Sequence, residues 1–88
     1  MIKDIKNMEI KKLRKLVREL FRYYGRDEVY EDEFYEYFRN KGLKDEEIEI
    51  LWLRVIGESG LVRWEIHVVA DELPPKEIKS RPYIKLIR

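Results

Sequence analysis

The sequence predicts an α+β domain of three helices and a small antiparallel sheet, on three observations. Apolar residues recur at helical spacing in Leu13 to Tyr24, Phe34 to Phe38 and Ile48 to Val55. From Val62 to Val68 they alternate with polar residues, the period of a half-buried strand. Apolar residues around Val29 and in YIKLIR at the end supply two further short strands. With 88 residues, 44% of them hydrophobic, the chain is long enough for one core and too short for two, so residues 1–88 read as a single domain.

IKNMEIKKLRKLVRELFRYYG suits a long amphipathic helix, with Met1 to Lys6 as a frayed lead-in. At 100° per residue Leu13, Leu16, Val17, Leu20, Phe21 and Tyr24 share one side. Lys11, Arg14, Lys15, Arg18 and Arg22 gather on the other, and Gly25 ends the helix. A very short strand centred on Val29 follows. YEDEFYEYFRNKG makes a second helix, its acids at the end the dipole favours, with Phe34, Tyr37 and Phe38 turned inward. After a tight turn at Gly42–Leu43, a third helix runs from about Asp45 to Gly57, burying Ile48, Leu51, Trp52 and Val55. GESG breaks it. The strand LVRWEIHVV then turns Val62, Trp64, Ile66 and Val68 to one side, with both Trp52 and Trp64 expected in the core. ADELPPKEIKSRP reads as a loop and YIKLIR as the last strand.

Helix, short strand, helix, turn, helix, strand, long loop, strand is the order of a winged helix-turn-helix fold, here with a long wing. VYEDEFYEYFRNKGLKDEEIEILWLRVIGESGLV resembles the corresponding stretch of winged helices in archaeal information-processing proteins. It is most similar to the C-terminal winged-helix domain of the archaeal minichromosome-maintenance replicative helicase. That family also has an acidic third helix leading to a glycine and a strand, and a closing strand like Pro82-Tyr83-Ile84-Lys85. The wing, residues 62–82, is longer here. The resemblance implies a non-catalytic accessory module of DNA metabolism, in replication or transcription.

Composition sets further bounds. Cysteine is absent, which excludes disulfides and thiolate metal sites. Gln and Thr are absent too, against 42% charged residues, a balance like that of hyperthermophile proteins. No apolar run approaches a membrane span, and the N-terminus lacks the apolar stretch of a signal peptide, so a cytoplasmic protein without a membrane partner is expected. The formal net charge of +1 hides a segregation: residues 1–26 carry nine Lys/Arg and three Asp/Glu, residues 27–50 three and ten. Such asymmetry concerns partners rather than fold.

A reading helix presents its N-terminal residues to the major groove. Here they would be Asp45, Glu46, Glu47 and Glu49, which suit cytosine N4 at best and approach the phosphates with the wrong sign. Stabilisation of the helix end explains that cluster better. Two other surfaces suit duplex DNA, through phosphates and with weak sequence preference. One is the first helix, with Lys11, Lys15, Arg18 and Arg22 in a row, supplemented by Lys12 and Arg14. The other is the wing, with Lys76, Lys79 and Arg81. An ordinary solvated flank explains the row about equally well, and the wing cations somewhat better. On the outer side of the third helix Glu46, Glu49, Ile50 and Leu53 offer an alternative: docking of a protein partner from a replication or transcription complex. A wide core stripe covering Ile50 and Leu53 competes with that reading. A sequence-specific dimeric regulator, joined through the first helix or the lead-in, is the third alternative. His67 stands alone on a polar strand face, without a nucleophile, acid pair or metal motif, so no enzymatic activity, metal or cofactor is expected.

Overall fold

The computed structural model describes residues 4–70 and 78–87, with side chains from 69 to 79 excepted. Helix α1, Ile10–Tyr24, buries Leu13, Val17, Leu20 and Phe21. It stops at Gly25, whose φ of 66° is the left-handed conformation that favours glycine, and whose N–H returns to the Phe21 carbonyl at 2.9 Å. The helix starts later than expected. Ile5–Asn7 form a separate 3-10 turn, and Ile5 and Met8 are buried. From α3, Arg54 donates to the Ile5 carbonyl at 2.8 Å. From Ile5 onward, then, the expected frayed lead-in is packed and pinned; residues 1–3 lie outside the described part.

Strand β1, Glu28–Tyr30, passes directly into α2, Glu31–Asn40, and a turn leads to α3, Asp45–Glu58. The two helices start alike. Glu33 accepts from the Tyr30 backbone N–H at 3.0 Å, and Glu47 from that of Lys44 at 2.9 Å. Only half of a capping box forms at Lys44, because an ammonium has no acceptor to offer in return. In the turn, Gly42 takes φ 96° while Leu43 folds into the core and sends its N–H to the Phe38 carbonyl. Phe34 anchors the centre, with ring centroids 4.8 Å from Phe38 and 5.0 Å from Trp52.

Strands β2, Val62–Ala70, and β3, Ile78–Leu86, complete an antiparallel sheet of order β1-β3-β2. Val29 lies opposite Ile84, which lies opposite Trp64, so these three share the side that the helices cover. Val29 and Ile84 are fully buried there. β1 reaches only as far as the Tyr30–Tyr83 pair, whereas β2 and β3 stay paired out to Ala70 and Ile78. Beyond Tyr83 the sheet is therefore a two-stranded arm, about 16 Å long at the usual rise per residue. Overall extents of 47 × 28 × 22 Å reflect it.

Two expectations change here. The last strand does not wait for Tyr83; it begins at Ile78 and runs through Pro82. At Pro82 β3 has a partner on one side only, where a strand tolerates proline. Nor is Trp64 a core residue. It is 43% exposed although its neighbour Ile84 is fully buried, because β2 is the outermost strand; along the arm, past the three-stranded part, Ile66 and Val68 are 46% and 59% exposed.

Candidate nucleic-acid interface

α1 positions the cationic row. Its apolar stripe is fixed against α3 and the sheet, which forces Lys11, Lys12, Lys15, Arg18 and Arg22 outward, and all five are exposed. From Lys11 to Arg22 the row is about 16 Å long at 1.5 Å per residue. No ion pair among the described residues involves any of the five. Arg14 has a different role. Its Nε donates to the Ser59 carbonyl at 2.7 Å, at the C-terminal end of α3, where a cation is favoured. Its other side crowds Gly60, where an added Cβ would lie 3.3 Å from Nη2. Arg14 clasps two helices and does not supplement the row.

At the C-terminal half of α1 a shallow groove of about 330 Å³ lies between Arg18, Arg22, Arg26 and Leu86. Arg26 is a cation that periodicity could not single out, since it lies past the helix end. It sits 5.1 Å over the Tyr24 ring and pairs with Glu33 on α2. Tyr24 in turn donates to the Glu33 carbonyl at 2.9 Å; burial, then Glu33 and Glu36, push its hydroxyl pKa up.

The arm places its cations elsewhere. Arg81 donates to both carboxylate oxygens of Asp32 at 3.0 Å, and its guanidinium lies 3.7 Å over the Tyr30 ring. Alternation along β3 puts Arg81 on the opposite sheet surface from Leu86, about 17 Å along the strand. The α1 row and Arg81 are therefore not brought together. Lys76 lies outside the described residues, and of Lys79 only the backbone, in β3, is described.

At the head of α3 two of the four acids have structural partners. Asp45 accepts from Arg39 at 2.8 and 3.0 Å, hydrogen bonds that hold its carboxyl below the usual range. Glu47 is the half cap described above. Glu46 and Glu49 are exposed, Ile50 is half-buried against the core, and Leu53 is 61% exposed. At helical spacing these four form one stripe.

On the sheet surface away from the helices, Tyr83 donates to Glu65 at 3.2 Å, and the Tyr30 hydroxyl lies 3.4 Å from His67 Nδ1. Among the described residues no three His, Asp or Glu side chains gather as a metal set, and no helix is long and apolar enough to cross a membrane. No protein-family model matches the chain, and no curated protein or solved structure does either.

Proposed function

We propose that the protein is a winged helix-turn-helix accessory module of DNA metabolism that holds duplex DNA by its phosphates along α1. The element order, the β1-β3-β2 sheet and the long terminal hairpin support the winged-helix reading. One observation carries the functional part: five cations stand exposed along one flank of α1, free of carboxylate partners among the described residues, while the head of α3 is acidic. Phosphate contacts of this kind position a protein on DNA and read little sequence. Arg81, on the arm, makes a separate and smaller contribution, since it already serves Asp32. The test is a DNA titration with the double reversal Lys15→Glu/Arg18→Glu at two salt concentrations. Binding should fall steeply; an unchanged affinity refutes the α1 assignment.

A second reading rests on Leu53. So exposed a leucine beside Glu46, Glu49 and the edge of Ile50 fits a protein partner with an apolar, basic-rimmed surface. Leu53→Glu would then abolish partner capture and leave DNA affinity and thermal stability unchanged. A dimer built through the lead-in is disfavoured, because Ile5 and Met8 are already consumed by the chain's own core.

A further inference from the structure

β2 is an edge strand of an unusual kind. It lies outermost in the order β1-β3-β2, and among the described residues nothing pairs with its second edge. Natural sheets blunt such an edge with proline, lysine, a bulge or a short strand. VRWEIHVVA has no proline and no lysine, its two charged side chains are engaged within the sheet (Arg63 with Glu65, and Glu65 with Tyr83), and its nine residues pair with β3 in unbroken register. The arm's other edge, on β3, is blunted by Pro82. Along the unprotected edge run Trp64, Ile66 and Val68, all on one side and all substantially exposed.

We propose that β2 pairs with β2 of a second copy of this chain, antiparallel about a twofold axis at Ile66, joining the two sheets into one of six strands. The register follows from two independent facts. First, Ile66 is the midpoint of Val62–Ala70, so only this centring opposes the whole strand with itself. Second, it sets Glu65 opposite His67 of the other copy, twice by symmetry, and Trp64 opposite Val68 on the apolar side. Centring on Glu65 would place two carboxylates face to face and shorten the overlap; centring on His67 would oppose two imidazoles and shorten it equally. Shifting by a single residue would lay the apolar side of one strand beside the polar side of the other. The paired strands would exchange roughly eight to ten backbone hydrogen bonds. The contact uses neither α1 nor the outer side of α3, so it stands or falls apart from the reading above.

The chain has no cysteine, so single introduced thiols report the register without background. Across an antiparallel pair opposed Cα atoms lie about 4.5–5.5 Å apart, within disulfide reach. Under mild oxidation with oxidised glutathione, Ile66→Cys should crosslink to itself. Trp64→Cys alone and Val68→Cys alone should not, because their own copies lie about 13 Å away; an equimolar mixture of those two should crosslink. Sedimentation should show a concentration-dependent dimer, with Ile66→Lys raising its dissociation constant at least tenfold and leaving the circular dichroism spectrum unchanged. A monomer at every concentration, equal crosslinking of all three single variants, or a dimer indifferent to Ile66→Lys would each overturn the proposal.

Discussion

If α1 holds phosphates as proposed, removing two cations from the middle of its row should change how DNA binding responds to salt by a calculable amount. Lys11, Lys15, Arg18 and Arg22 span about 16 Å, and a duplex presents one phosphate per about 3.4 Å on each strand, so four simultaneous contacts fit. Neutralising four phosphates gives a slope of about −3.6 in log affinity against log salt. Between 50 and 200 mM salt the affinity should then fall roughly 150-fold. Lys15→Ala/Arg18→Ala leaves two contacts, a slope near −1.8, and a fall of roughly 12-fold over the same range. Both side chains are exposed, and alanine is the better helix former, so the fold is retained. Fluorescence anisotropy of a labelled mixed-sequence duplex measures both slopes. Equal slopes for the two proteins would refute the reasoning, because the contacts would then be made by other cations.

Two further outcomes follow from contacts at the helix ends. Arg14→Met removes the bond to the Ser59 carbonyl and keeps most of the stem packing; it should cost about 1–2 kcal/mol, or roughly 4–15 °C in Tm, without altering the salt slope. Thermal melts and the anisotropy series together check it. Arg39 holds the Asp45 carboxyl below its ordinary value of about 3.8. The stabilisation from that pair is fully present above the ordinary value and is lost as pH falls through the depressed one. Arg39→Ala should therefore flatten the acid side of a Tm-against-pH curve; a wild-type decline in that window that Arg39→Ala leaves unchanged would count against the pair.

The three helices and the partition of α1 were legible because the 3.6-residue period is imposed by a core on one side only. What was not legible depended on distance. Arg14 belongs on a helical wheel to the cationic flank, yet its partner Ser59 lies 45 residues away, and no local pattern announces it. Ile5 and Met8 are too few to show a period, and their burial comes from Arg54 and α3 closing over them. Alternation in β2 correctly put Val62, Trp64, Ile66 and Val68 on one side. It could not say that β2 would be the outermost strand, where the helices leave Trp64 partly uncovered while they bury its neighbour Ile84. Pro82 argued for a loop only because the sequence does not reveal that β3 has lost its second neighbour there.

If the protein holds DNA as proposed, the sign of the charge at the head of α3 decides which element can approach it. A helix N-terminus by itself attracts a phosphate, with an effective half positive charge. Around this one, Arg39 and Lys44 supply two positive charges against Asp45, Glu46, Glu47 and Glu49. The dipole covers only a quarter of the remaining deficit. At about 7 Å, one uncompensated carboxylate and one phosphate repel by about 0.6 kcal/mol in water and by about 2.4 kcal/mol at an effective dielectric of 20. A groove brings several phosphates within that range, so repulsion exceeds the roughly 0.3–1 kcal/mol the dipole returns. Asp45 and Glu47 cannot be traded for basic residues without loss, because one grips Arg39 across the turn and the other caps the helix. On the proposed reading, the contacts that fix α3 in the fold are thus made by the same carboxylates that would hold it off a duplex, and contact with phosphates would pass to α1.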